Sequence, residues 1–159
     1  MEYGGLLKSD LIKKLKSSDI QLNKYAETIF SSRLFKVSNQ SQLISIVITS
    51  IQDLGFSKGA TIPQIKNSLN SHGLSECPID IAPYLRLHLN NQIEIMEESK
   101  NQSPPGSLTV FSKPLVDDDD FPKGFYLRKV MGKLCLRGFC CSLDFMWNPK
   151  DKLVFKQIK

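Results

Sequence analysis

The stretch QIEIMEESKNQSPPGSLTVFSKP, residues 92–114, decides the predicted fold because it reads as two strands joined by a loop. Ile93 and Ile95 alternate with polar neighbours in its first half, and residues 108–111 supply a returning apolar strand. Residues 103–106, Ser-Pro-Pro-Gly, interrupt regular pairing and favour an exposed turn. The stretch therefore predicts a long β-hairpin with a polar tip.

Three segments with helical periodicity precede this hairpin. Residues 43–54 carry a wide apolar stripe, which is typical of an amphipathic helix. Thr61 is a predicted N-cap with Pro63 in the first turn, so a second helix begins there. Residues 79–91 are apolar enough to form a third helix. Three short helices followed by a hairpin are the order of a winged helix.

Three blocks within residues 41–113 resemble the linker-histone globular domain: SQLISIVITSIQDLGFSKGATIPQIKNSLNSHGL, PYLRLHLNNQIEIME and GSLTVFSK. The resemblance implies a winged-helix fold and DNA binding, through the third helix in a major groove or through the wing. DNA-binding members of that family are rich in Lys and Arg, whereas residues 39–115 here carry five bases and six acids. We therefore expect basic segments outside this domain to supply most of the phosphate contacts.

The sequence as a whole predicts an α+β protein. A helical extension over residues 1–38 leads into the winged helix, three helices plus a β-hairpin wing, over 39–115. Ser18 or Asp19 is the expected cap of the second helix in the extension. An acidic linker follows at 116–120. A small, basic, β-rich module then covers residues 121–159, with nine bases and two acids.

The basic module leaves one ambiguity in its secondary structure. Residues 124–137 fit either a strand pair that turns at Gly132 or a helix that ends at Gly138. The β-branched and aromatic content favours strands. In the helical alternative, Lys129, Lys133 and Arg137 would stand in one line. Towards the end of the chain, alternating apolar residues on both sides of a turn at residues 148–151 predict a second hairpin.

Nothing in the sequence predicts catalysis, and we expect a protein that is not an enzyme and needs no cofactor. His72 and His88 are the only histidines, and neither belongs to a recognisable catalytic set. Asp117–Asp120 could bind a divalent cation, but a solvated acidic linker without metal is the favoured interpretation. The spacing of the four cysteines predicts free, buried thiols in a reducing compartment. No apolar run is long enough to span a bilayer, and no signal peptide is recognised.

Two functions remain open from the sequence. In the first, the chain is a non-catalytic, nuclear subunit of a chromatin or transcription complex and binds nucleic acid, DNA more than RNA. In the second, the winged helix is a protein-docking scaffold without direct nucleic-acid binding. Basic residues, together with one histidine, are the candidate contacts of the first function: Lys66, Arg86, His88, Lys100, Lys113, Arg128, Lys129, Lys133, Arg137, Lys152 and Lys156.

Overall fold

The structure is a computed structural model that describes residues 1–96 and 104–159. Within those ranges the helices are α1 (Lys8–Ser17), α2 (Lys24–Ser31), α3 (Ile62–Ser68) and α4 (Ile81–His88), with a short 3₁₀ helix at Asn70–His72. The strands are β1 (Glu2–Tyr3), β2 (Gln21–Leu22), β3 (Gln42–Leu43), β4 (Ile46–Ser50), β5 (Leu74–Ser75), β6 (Leu108–Val110), β7 (Gly124–Val130), β8 (Lys133–Phe139) and β9 (Lys152–Gln157).

A mixed seven-stranded sheet organises the molecule. Its order is β2-β8-β7-β6-β9-β4, and β5 pairs with β9 beside that path. The β2–β8 and β6–β9 pairs are parallel, and the other pairs are antiparallel. β1 and β3 form a separate two-stranded sheet. The large sheet therefore takes strands from the beginning, middle and end of the chain, and the acidic segment 116–120 connects its neighbouring strands β6 and β7.

Both faces of the large sheet are covered by buried apolar side chains. On one face, which we call the helical face, α1, α2 and α4 pack their buried residues against Phe125, Leu127 and Leu136. On the opposite face, the α3 face, a second core contains Ile65 of α3 and Trp147. β9 contributes alternate residues to the two cores, as a strand buried on both sides must.

The prediction of a winged helix is wrong. Its expected first helix contains β4 instead, which pairs antiparallel with β9 from Ile46 to Ser50. Ile46, Val47, Ile48 and Thr49 are four consecutive β-branched residues, which restrict side-chain rotamers in a helix and fit a pleated strand. The apolar stripe was compatible with both periods, and the β-branched run decides in favour of the strand. The helix order on which the linker-histone resemblance rested is thus not present.

The predicted wing is also not formed by the described residues. Ile93 and Ile95 belong to no strand, and the Ile93 side chain is 79% exposed. β6 does form as expected, but it pairs with β7 and β9 rather than with residues 92–96. The first half of the hairpin was misassigned because alternation alone does not identify a strand's partner. Of the predicted loop between the two strands, residues 97–103, which include Lys100, lie outside the described residues.

Several local predictions are confirmed. Thr61 caps α3, and Gln64 completes a reciprocal capping box with it. Residues 124–139 form two strands that turn at Met131 and Gly132, as the favoured alternative predicted. The cap of α2 is Asn23, however, and not Ser18 or Asp19. The last predicted hairpin is only half present, because β9 forms whereas Trp147 makes a single bridge to Ala60.

Candidate nucleic-acid interface

The β7–β8 hairpin carries four basic residues, which are Arg128, Lys129, Lys133 and Arg137. Its strands pair from Gly124–Phe139 to Val130–Lys133, with a two-residue turn between them. Met131 and Gly132 both have positive φ, 48° and 75°, as this tight type of hairpin turn requires. The carboxylate of Glu94 accepts hydrogen bonds from both turn amides, at 2.5 and 2.9 Å. The hairpin tip is therefore anchored to the segment that follows α4.

The pairing register divides the hairpin's basic residues between the two faces. Lys129 pairs with Leu134, which packs on the helical-face core. Successive side chains of a strand point to opposite faces. Arg128, Lys133 and Arg137 are an odd number of residues away from Lys129 or Leu134 on their strands, so they lie on the opposite, α3 face. The single line of Lys129, Lys133 and Arg137 that a helix would have produced is thus not formed. Three cations share one face, and Lys129 lies behind them.

A contact between distant segments extends this basic surface to the N-terminal helix. Lys133 forms an ion pair with Asp19, which follows α1 directly. β2 then runs parallel to β8, with Gln21 opposite Cys135. The exposed lysines Lys13, Lys14 and Lys16 belong to the end of α1 that leads into this contact, where the Asp19 amide donates to the Lys16 carbonyl oxygen at 3.1 Å. We call this combined surface the basic edge: Lys13, Lys14, Lys16, Arg128, Lys129, Lys133 and Arg137.

The basic edge has little internal charge compensation. Among the described residues, ion pairs join Lys66 to Glu76, Lys123 to Asp119 and Lys133 to Asp19. The six other residues of the basic edge form no ion pair within this described part. Glu94 accepts hydrogen bonds from the two turn amides and brings one negative charge to the hairpin tip. Seven bases against Asp19 and Glu94 leave the surface with a net positive charge that a polyanion can neutralise.

The aromatic residues of the same module are not free to stack on bases. Tyr126 and Trp147 are buried, and Phe139 and Phe145 are half-buried. Both phenylalanines meet Trp147 edge to face, at 5.7 Å between ring centroids. These rings build the α3-face core. Any nucleic acid at the basic edge would consequently be held through its phosphates rather than by base stacking.

Arg86 is buried, so its guanidinium cannot contact a nucleic acid at the surface. It is fully buried on α4, where desolvation lowers its pKa to about 10. Its guanidinium donates hydrogen bonds to Gln92 Oε1 at 2.6 Å and to the carbonyl oxygens of Leu89 and Cys135. Gln92 in turn donates to the Leu127 carbonyl oxygen at 3.0 Å. Arg86 is thus a structural link between the end of α4 and the strands β7 and β8.

The remaining predicted contact residues are dispersed. Lys66 and Lys113 line a cleft beside α3, and no residue of the basic edge belongs to that lining. His88 is exposed at the end of α4, with Nε2 3.2 Å from the carbonyl oxygen of Glu2. Lys152 and Lys156 are exposed on β9, and Lys100 is outside the described residues. The structure thus groups Arg128, Lys129, Lys133 and Arg137, and separates them from the others.

Lys13, Lys14 and Lys16 are not among the contact residues predicted from the sequence. The missing information is the Asp19–Lys133 contact, which no local pattern encodes. The buried Lys123 was also overlooked, because a lysine in a basic segment is normally expected at the surface.

No protein-family model, curated protein or solved structure matches this chain. Across residues 1–96 and 104–159, no helix has the length and apolar character needed to cross a membrane. The same ranges contain no group of three or more His, Cys, Asp or Glu side chains arranged to hold a metal ion. The fold and surface thus define an α+β protein with a basic edge on its large sheet.

Proposed function

We propose that this chain binds nucleic acid through the phosphate backbone along the basic edge. The proposal includes a preference for DNA over RNA and a role as a non-catalytic subunit of a nuclear chromatin or transcription complex. The observation that carries it is the contact between the end of α1 and the β7–β8 hairpin. This contact joins two basic segments into one surface whose charges are mostly unpaired among the described residues.

The shape of the hairpin supports DNA as the preferred nucleic acid. The B-DNA major groove is wide enough to admit a two-stranded β-ribbon, whereas the major groove of A-form RNA is deep and narrow. The β7–β8 tip is such a ribbon, and Met131 at its turn is 86% exposed. Because the neighbouring aromatic rings are packed in the core, we expect affinity from phosphates and little reading of sequence.

Fluorescence anisotropy with labelled duplex DNA, duplex RNA and single-stranded DNA of equal length tests the proposal. We expect duplex DNA to bind most tightly. Raising the salt from about 50 to about 200 mM should weaken binding on the order of a hundredfold, as expected for four or five phosphate contacts. Tighter binding of single strands would indicate base stacking. An affinity that does not depend on salt would exclude a phosphate-binding surface.

A protein-docking scaffold remains the second candidate function, and a different surface favours it. Exposed apolar residues, among them Ile48 of β4, Ile93 and Ile95, line a groove of about 650 Å³. Contiguous exposed apolar surface is typical of protein interaction sites. Absence of any nucleic-acid binding at low salt, with the protein folded, would favour this second function over the first.

A further inference from the structure

A separate cleft of about 440 Å³ opens on the α3 face, between α3, β6 and the segment that ends at Trp147. It lies in the size range of small-molecule sites. Much of its wall is apolar, and the side chains that give it this character are Ile62, Phe111, Phe139, Leu143 and Trp147.

One cation on this wall is almost completely withdrawn from water. The Lys123 side chain is 4% exposed, and its Nζ lies 2.9 Å from Oδ1 of Asp119. Its backbone amide donates to the Phe139 carbonyl oxygen at 2.8 Å, which fixes the residue against the cleft. Asp119 belongs to the acidic segment, and its side chain is 58% exposed. The partner of this buried ammonium is thus a half-exposed carboxylate, and a ligand carboxylate that replaces it would leave the ammonium paired.

Two further polar groups of the lining have no partner. Trp147 is buried, and its indole Nε1–H makes no hydrogen bond with the described residues. The same is true of the Ser112 hydroxyl. Buried polar groups are normally paired, and unpaired ones call for an explanation. Donors beside a buried lysine and an apolar wall suit a ligand with one acidic group and an aliphatic body.

The other charges of the cleft favour a ligand with a single negative charge. Glu76 and Asp117 on the lining are balanced by Lys66 and Lys113, and Glu76 pairs with Lys66 at 3.3 Å. Lys123 is thus the one lining cation that these acids do not balance, and it matches one negative charge better than the several charges of a nucleotide. A monocarboxylate offers Lys123 the same kind of group that Asp119 offers. In addition, its apolar chain would be buried against the cleft wall, which favours the ligand over the exposed Asp119 side chain.

We propose that this cleft binds a medium-chain aliphatic monocarboxylate, whose carboxylate replaces Asp119 on Lys123. Asp119 then competes with the ligand, because its carboxylate forms the ion pair with the Lys123 ammonium when no ligand is bound. The inference is independent of nucleic-acid binding, because Lys123 and the cleft lining share no residue with the basic edge.

Titration with decanoate, followed by tryptophan fluorescence, tests this proposal directly. Trp147 is the single tryptophan of the chain, so the signal reports on the cleft wall. The matched neutral probe is 1-decanol, and both are kept below the concentrations at which they aggregate. We expect a saturable change with decanoate and at least tenfold weaker binding of decanol. Equal affinities for the two probes would overturn the proposal.

Three variants identify the anchor. Lys123→Met should remove the preference for decanoate over decanol, whereas Lys66→Met, at another lysine of the lining, should retain it. Asp119→Asn should tighten decanoate binding at least threefold by removing the competing carboxylate. Because Asp119 is exposed, this variant keeps the proposal testable even if Lys123→Met does not fold. Unchanged decanoate affinity in Asp119→Asn would show that Lys123 is not the anchor.

Discussion

Lys133 forms an ion pair with Asp19 across a sequence separation of 114 residues. The first residue begins β8, and the second follows the end of α1. The contact neutralises one cation of the basic edge, and it also joins the segment that follows α1 to the hairpin. These two effects can be separated by removing the charge of Asp19 while keeping a polar side chain.

The substitution Asp19→Asn should tighten DNA binding, because it releases Lys133 and removes a carboxylate that repels phosphates. Asn tolerates the positive φ of 56° at this position, so the backbone should be preserved. We expect an increase in affinity of up to about fivefold, the scale of one exposed charge. Asp10→Asn, on the first turn of α1, is the matched control with the same change in net charge and should have a smaller effect. Weaker binding by Asp19→Asn would show that the ion pair is needed to assemble the surface.

Arg86 should contribute to stability and not to nucleic-acid binding. Arg86→Ala leaves Gln92 and two backbone carbonyl groups without their buried donor. We expect a loss of about 3–5 kcal/mol in the free energy of unfolding by urea, because buried acceptors are left unsatisfied. DNA affinity, measured where the variant is still folded, should remain within twofold of the wild type. A selective loss of affinity with unchanged stability would assign Arg86 to the interface after all.

Asp80 should make the stability depend on pH in an unusual direction. Burial raises the pKa of its carboxyl group above the ordinary 3.8, although the Ser38 amide donates to it at 2.8 Å. Between 3.8 and this raised value the folded protein binds more protons than the unfolded chain, so acidification through this window stabilises the fold. Above its raised pKa the buried carboxylate is ionised and costs stability.

We therefore expect Asp80→Asn to be more stable than the wild type at pH 7, with a difference that shrinks as the pH falls through the raised pKa. Urea unfolding at a series of pH values measures this. Glu27→Gln, an exposed change of the same kind on α2, should show no such convergence. A stability advantage of the Asp80 variant that grows on acidification would have the wrong sign for this explanation.

The cysteines should differ in their reactivity in the folded protein. Burial raises the pKa of Cys77 to about 12 and that of Cys141 to about 11, so almost no thiolate is present at neutral pH. Cys140 is half-buried and should be alkylated by iodoacetamide before the other two. Mass spectrometry after limited alkylation measures the order, with the unfolded protein as the control for equal access. Early labelling of Cys77 would indicate that its surroundings open easily.

Local chemistry made part of this fold predictable. The Thr61 cap of α3 and the turn at Gly132 were predicted correctly, because the decisive residues are neighbours in sequence. β4 was missed because its apolar pattern also fits a helix, and the signal that distinguishes the two is the β-branched run from Ile46 to Thr49. The partners of β6 could not be predicted, because pairing between distant strands depends on the whole sheet.

In the candidate interface, too, the features that depend on nearby residues were predictable, and those that depend on contacts between distant segments were not. The concentration of bases in residues 121–159 was visible from composition, and four of the predicted contact residues lie together on the hairpin. Arg86 was misleading because a basic residue on a predicted recognition helix was expected at the surface. Its burial becomes evident only from the packing of α4 against β7 and β8.

The salt dependence of DNA binding tests the central claim most directly. Replacing Arg128, Lys133 and Arg137 by Gln should lower the slope of log K against log salt by about 2 to 3, since each phosphate contact contributes about 0.9. The control replaces the exposed Lys58, Lys113 and Lys152 by Gln, which removes the same charge away from the basic edge. We predict that the control keeps the wild-type slope. An equal reduction in both triple variants would contradict the account, because binding would then follow net charge and not the basic edge.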